Sequence, residues 1–95
     1  MPAMHYRLRW PDASVSHCYS PSLVIKDFFE PGASYAIAEF LQRLREATRI
    51  ASDRVQAKFG FACSRAADQL SQIESQAARF ANQAGARIEM LSFEE

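Results

Sequence analysis

The stretch from Ser34 to Phe80 limits the possible folds more than any other part of this chain. Ile37, Phe40, Leu41, Leu44, Thr48, Ala51, Val55 and Phe59 recur three or four residues apart. That is the stripe of an amphipathic helix. Gln42, Arg43, Glu46, Arg49, Asp53 and Gln56 fall on the other side. Glu39 with Arg43, and Arg49 with Asp53, are spaced for i,i+4 pairs. Ser34 fits an N-cap, and Pro31-Gly32 separates this helix from anything before it. Gly60 suits the left-handed residue that ends a helix. Ser64 then fits the cap of a second helix, in which Ala66, Leu70, Ile73, Ala77 and Phe80 repeat. The short connection makes the two helices antiparallel neighbours. The spans predict lengths of about 39 and 25 Å. The first outreaches the second, so its surplus apolar surface needs the rest of the chain or a second copy.

The flanks read as strands. Met4, Tyr6, Leu8 and Trp10 alternate with His5, Arg7 and Arg9, the pattern of a half-buried strand. Pro11-Asp12-Ala13 is a turn. Residues 14–19 return, with Val15, His17 and Tyr19 on one side and Ser16 and Cys18 on the other. The pattern does not say which of those sides faces the core. Ser20-Pro21 resembles a cap followed by proline at the first helical position, predicting a short helix over 21–29 with Leu23, Val24 and Phe28 inward. The alternative for that segment is extended chain. Residues 86–93 read as a third strand with Ile88 and Met90 inward, and Glu94-Glu95 as a charged tail. The expected architecture is a single α+β domain over residues 1–95. It has a three-stranded sheet, made of an N-terminal hairpin and a C-terminal strand, packed against the long helical hairpin. Where the last strand pairs stays open. Exposed edges and the overlong helix together predict a homodimer.

Composition narrows the function classes. The formal net charge is zero, without the basic surplus of a nucleic-acid binder. No apolar run approaches the ~20 residues of a membrane span. Residues 1–10 have no signal-peptide core, and the 2 cysteines lack Cys-x-x-Cys spacing, which fits a reducing compartment. The expected location is cytoplasmic. Neither paired carboxylates in a catalytic frame nor a glycine-rich phosphate loop is present.

Cys63 is the best chemical candidate. It lies just before the expected cap Ser64 with Arg65 close by, and helix-end amides and a cation both favour a thiolate. The commoner use of such a residue is packing a turn. Cys18 follows His17, but adjacent strand residues point to opposite faces, so they form no local dyad. His5, His17, Cys18 and Cys63 offer ligand types without ligand spacing, so neither a metal nor a cofactor is expected. Arg7 and Arg9 form a basic strand face that Glu89 can balance. Trp10 and Phe61 read as core.

Five ordered stretches add a resemblance. They are Arg9-Trp10-Pro11-Asp12, Cys18-Tyr19-Ser20-Pro21-Ser22-Leu23, Glu30-Pro31-Gly32-Ala33-Ser34-Tyr35, Ile50-Ala51-Ser52-Asp53-Arg54-Val55 and Gly60-Phe61-Ala62-Cys63-Ser64-Arg65-Ala66. In order and spacing they resemble a family of small bacterial nitrogen-starvation response proteins. Its genes accompany a nitrilase in a cluster with a radical-type enzyme and an acetyltransferase. The resemblance implies a cytoplasmic accessory role, with an enzyme of that cluster as a possible partner, and carries no reaction. The leading expectation is an interaction protein without its own catalysis. The alternative is a thiol-dependent enzyme or redox sensor using Cys63 with Cys18.

Overall fold

The computed structural model describes residues 3–60 and 64–94. Elements follow in the order β1 (Met4–Arg9), β2 (Val15–Ser20), α1 (Ile25–Phe28), β3 (Ser34–Ala36), α2 (Ile37–Phe59), α3 (Ser64–Ala78) and β4 (Arg87–Glu94). The architecture is α+β, with an antiparallel sheet in the order β2-β1-β4-β3.

The alternation in β1 does what its pattern requires. Met4, Tyr6 and Leu8 are buried while His5, Arg7 and Arg9 are exposed. β2 returns in register, pairing Tyr6 with Cys18 and Leu8 with Ser16. Directly paired residues share a face, so Cys18 lies on the core side and Val15, His17 and Tyr19 on the outer side. Ser14 closes the turn by donating from its N–H and Oγ to Asp12 Oδ1, at 3.0 and 2.6 Å. Ala13 there takes a left-handed φ of 70°.

The sheet has four strands where three were expected. Ser34 does not cap a helix; it begins β3, which pairs Ser34 with Glu89 and Tyr35 with Ile88. Gly32, at φ 84°, turns the chain so that its N–H donates to Met90 O at 2.6 Å and Met90 N–H donates to Ala33 O at 2.9 Å. These two bonds align the segment with β4 before the helix can start, so α2 opens at Ile37 without a side-chain cap. β4 runs between β1 and β3. A register shift opposite Arg7 and Leu8 places Phe93 across from Tyr6. The bulge therefore moves Phe93 to the core side, which strict alternation with Met90 would deny it. Glu94, expected in a charged tail, is a strand residue 3.0 Å from Arg7.

The predicted helix over 21–29 shrinks to Ile25–Phe28. Ser20 does not cap it: its Oγ donates to Ser22 O at 2.7 Å and accepts from Ser22 N–H at 3.3 Å, which ties Ser20-Pro21-Ser22 into a turn. Ile25 and Phe29 then join the core. The break after α2 is where glycine predicts it. Gly60 is left-handed, at φ 80°, and its N–H donates to Gln56 O at 2.8 Å. Phe61, read as core, and the candidate Cys63 lie outside the described residues, as does the side chain of the expected cap Ser64. α2 and α3 pack together, and Ala47, Ala51 and Val55 of the first and Ala66, Ile73 and Ala77 of the second are buried. Arg45 and Glu74 bridge them at 2.9 Å. The apolar length that α2 has beyond α3 is taken up within the chain. Phe40 packs on Phe29, with ring centroids 4.8 Å apart, and near Tyr35 at 6.4 Å. Fully burying side chains such as Phe40, Leu8 and Ile88 stabilises the fold by roughly 1.5–3 kcal/mol each.

Candidate functional site: the groove between β2 and α3

β2 is an edge strand, and its hydrogen-bonding parity is fixed by the hairpin. Trp10 N–H donates to Ser14 O at 2.8 Å, so the even-numbered residues of β2 bond to β1 and the odd-numbered ones turn their backbone groups outward. Tyr19 confirms the parity. Its N–H donates, at 3.0 Å, to the side-chain Oε1 of Gln69 on α3. No comparable bond reaches the N–H of Val15 or His17 among the described residues.

α3 faces this edge with uncharged amides. Gln69, Gln72 and Gln76 are spaced three and four apart, one row of a helix. With Ile73 they form one wall of a groove of about 290 Å³, whose floor is Ser16, His17 and Cys18 and whose far end is Trp10. Trp10 is fixed there by donating from Nε1 to Ser16 Oγ at 2.8 Å and by stacking on Phe80 at 6.0 Å. A second hollow, about 190 Å³, continues the groove past Gln69 to Tyr19, Arg65 and Asp68. The Arg65 guanidinium lies 4.0 Å from the Tyr19 ring centroid, and His5 meets the same ring edge-on at 5.7 Å.

The Cys18 thiol and Arg65, both named from the sequence, thus flank one groove. Cys18 is a free thiol, 1% exposed, and burial pushes its pKa from an ordinary 9.0 to about 12. A reactive cysteine needs the opposite shift. Arg65 is engaged with an aromatic ring. Cys63 lies outside the described residues, so its distance from Cys18 is not part of this geometry. Tyr6, across from Cys18 in the sheet, is also raised well above its ordinary range, by burial first and by the Cys18 charge second. The enclosed space beside Tyr6, Ser20, Leu44 and Ala51 is about 10 Å³, room for about one water and no more. Among the described residues no group of three or more His, Cys, Asp or Glu could hold a metal ion. None of the helices among them is long and apolar enough to cross a membrane.

The basic strand face is neutralised. Arg9 lies 3.3 Å from Glu89, and Arg7 is held by Glu94. Glu39–Arg43 and Arg49–Asp53 form as spaced, at 2.9 and 3.1 Å. Sequence reasoning missed the glutamine row and the parity of β2. The Gln69, Gln72, Gln76 spacing was visible, but its position opposite a strand edge was not.

Comparison with curated proteins and with solved structures finds no significant match to this chain. The profile of a protein family, described as nitrogen starvation-induced protein NitG, matches residues 5–93. The chain belongs to the NitG family of nitrogen starvation-induced proteins.

Proposed function

We propose that this nitrogen starvation-induced protein acts in the cytoplasm as an accessory protein that binds a protein partner and performs no catalysis of its own. The observation that carries this reading is the β2–α3 groove. It joins strand backbone that is unpaired among the described residues to neutral amides and holds a buried thiol. The partner we favour is an enzyme encoded with the nitrilase gene cluster that the sequence motifs suggest. Nucleic acid is disfavoured by the zero formal net charge and by the paired arginines of the sheet face. Titration calorimetry of the purified chain with the cluster's nitrilase, acetyltransferase and radical-type enzyme tests the reading. Saturable binding to one of them is expected, and heats indistinguishable from dilution with all three would remove it.

A homodimer is the second reading, favoured by the same open edge of β2. Its other support lapses, because α1, β3 and β4 cover the apolar length of α2. The alternative is a thiol-dependent enzyme or redox sensor using Cys63 with Cys18, and the burial of Cys18 weighs against it. Iodoacetamide labelling from pH 6 to 9 addresses it directly: labelling of Cys63 that is complete at pH 6 would revive that alternative.

A further inference from the structure

The two edges of the sheet are built differently. β3 spans 3 residues, and Arg87 closes on it, donating to Ser34 O at 2.8 Å and to Ser34 Oγ at 3.0 Å. β2 spans 6 residues, Val-Ser-His-Cys-Tyr-Ser, with no Asp, Glu, Lys, Arg or proline and no bulge against β1. Charged side chains, proline, bulges or a covering helix are the usual means by which an edge is blunted; of these β2 has α3, which bonds to the strand at Tyr19 and stands across the groove from Ser16 and His17. Val15, on this strand, is also the large apolar side chain left exposed among the described residues, at 52%.

We infer that β2 accepts a fifth strand, an uncharged extended segment of another protein that enters the groove between β2 and α3. This rests on the reading that the chain is an interaction protein, and it names the surface and the chemistry of what binds. The backbone argues for extended chain. The outward groups of Val15 and His17 repeat about every 6.8 Å, a spacing that another strand matches. Gln69 sets the limit of the pairing, since its side-chain amide already takes the place of a strand peptide at Tyr19.

The position of α3 selects a naked strand over a second copy. Tyr19 N–H points away from β1, yet Gln69 reaches it; Tyr19 faces outward, yet Arg65 covers its ring. The start of α3 therefore overhangs the edge. A second copy approaching edge to edge would bring its own α3 into that space. A peptide brings nothing above or below its backbone except side chains.

Charge selects the composition. Arg65 shares one end of the groove with Asp68. At the other end Arg79 donates to Gln76 Oε1 at 3.2 Å, lies over the Phe80 ring and is within electrostatic reach of Asp12. Between them the α3 wall is Gln69 and Gln72, so an ionic side chain turned toward the helix meets neutral amides. Side chains that turn toward α3 meet Gln72 and Gln76, which suits hydroxyl or amide groups. The span from Val15 to Tyr19 takes about five residues of extended chain.

Selection of random dodecapeptides displayed on phage, against the immobilised full chain, tests this. The expected result is enrichment of peptides with an uncharged core of about five residues. Their affinity should fall at least about tenfold further with His17→Pro than with His17→Ala. Proline removes the outward N–H without touching the ladder to β1, whereas alanine changes only the side chain. If His17→Pro fails to fold, amide exchange on the native chain decides. Added peptide should slow exchange at Val15 and His17 by at least about tenfold. Absence of enriched peptides, equal loss with Pro and Ala, or unchanged exchange would overturn the inference. So would protection of these amides that rises with the chain's own concentration, because that places a second copy on the edge. An enzyme partner that binds folded His17→Pro at full strength would remove the groove while leaving the accessory role intact.

Discussion

At the scale of single residues, environment outweighs residue type. A cysteine next to a histidine invites a catalytic reading, yet Cys18 sits in the core with its pKa pushed up to about 12. In the unfolded chain the thiol ionises near its ordinary 9.0. The folded state therefore holds a proton that the unfolded state releases between those two values. The stabilisation that follows is complete below pH 9 and is lost as pH rises toward 12. Urea unfolding should show stability falling by up to about 1.4 kcal/mol per pH unit above 9 from this group. Cys18→Ala should lose that share of the slope while costing about 1–2 kcal/mol at pH 7 from the cavity. Native Cys18 should also resist iodoacetamide at pH 8 until the chain is unfolded. Ala13 offers a second case. Its φ of 70° places a Cβ where glycine would be unstrained, so Ala13→Gly should raise stability by about 0.5–1 kcal/mol in thermal or urea unfolding.

At the scale of elements, the fold depends on how segments are pinned as much as on their own propensity. Ser20-Pro21-Ser22 carries a helix-start pattern, but Ser22 is 1% exposed and its Oγ accepts from Val24 N–H at 3.3 Å and from Arg54 Nη1 at 3.0 Å. Arg54, late on α2, thus ties the turn before α1 to the helical layer. Arg54→Ala should cost about 1–2 kcal/mol, because a buried hydroxyl loses a charged donor. Arg54→Lys should recover only part of it, since a single ammonium lacks the guanidinium geometry. Differential scanning calorimetry of the two variants measures both effects. The alternative would be an Arg54→Ala midpoint equal to that of the native chain. The helical hairpin behaves more simply. Its amphipathic stripes and Gly60 match the run and the end of α2, while the pairing of β3 with β4 sets where α2 begins.

At the scale of the whole molecule, stability comes from one hydrophobic cluster between the sheet and the helices, joined by all four strands and by α1. Its ion pairs lie at the surface, with side chains roughly a third to two thirds exposed. Pairs of that kind are worth little individually and are screened by salt. Raising sodium chloride to 1 M should therefore move the unfolding free energy by less than about 1 kcal/mol. The radius of gyration, 13.0 Å, gives a scattering test of assembly. With α3 overhanging the β2 edge, the isolated chain should sediment as a 10.7 kDa monomer at tens of micromolar. A species of twice that mass would favour the homodimer.

Sequence alone set the pieces whose cause is local. Alternation placed Met4, Tyr6 and Leu8 inward, the three-and-four spacing gave two helices, and Gly60 ended the first, because backbone periodicity and left-handed φ depend on neighbours in the chain. The fourth strand, the bulge that turns Phe93 inward, the core side of Cys18 and the meeting of Gln69 with Tyr19 were decided by tertiary structure. Each depends on a partner far along the chain: Met90 for residues 32 and 33, Tyr6 for Phe93 and Cys18, a helix 50 positions away for Tyr19. A residue's own pattern specifies which faces it can offer. Only packing determines what those faces meet.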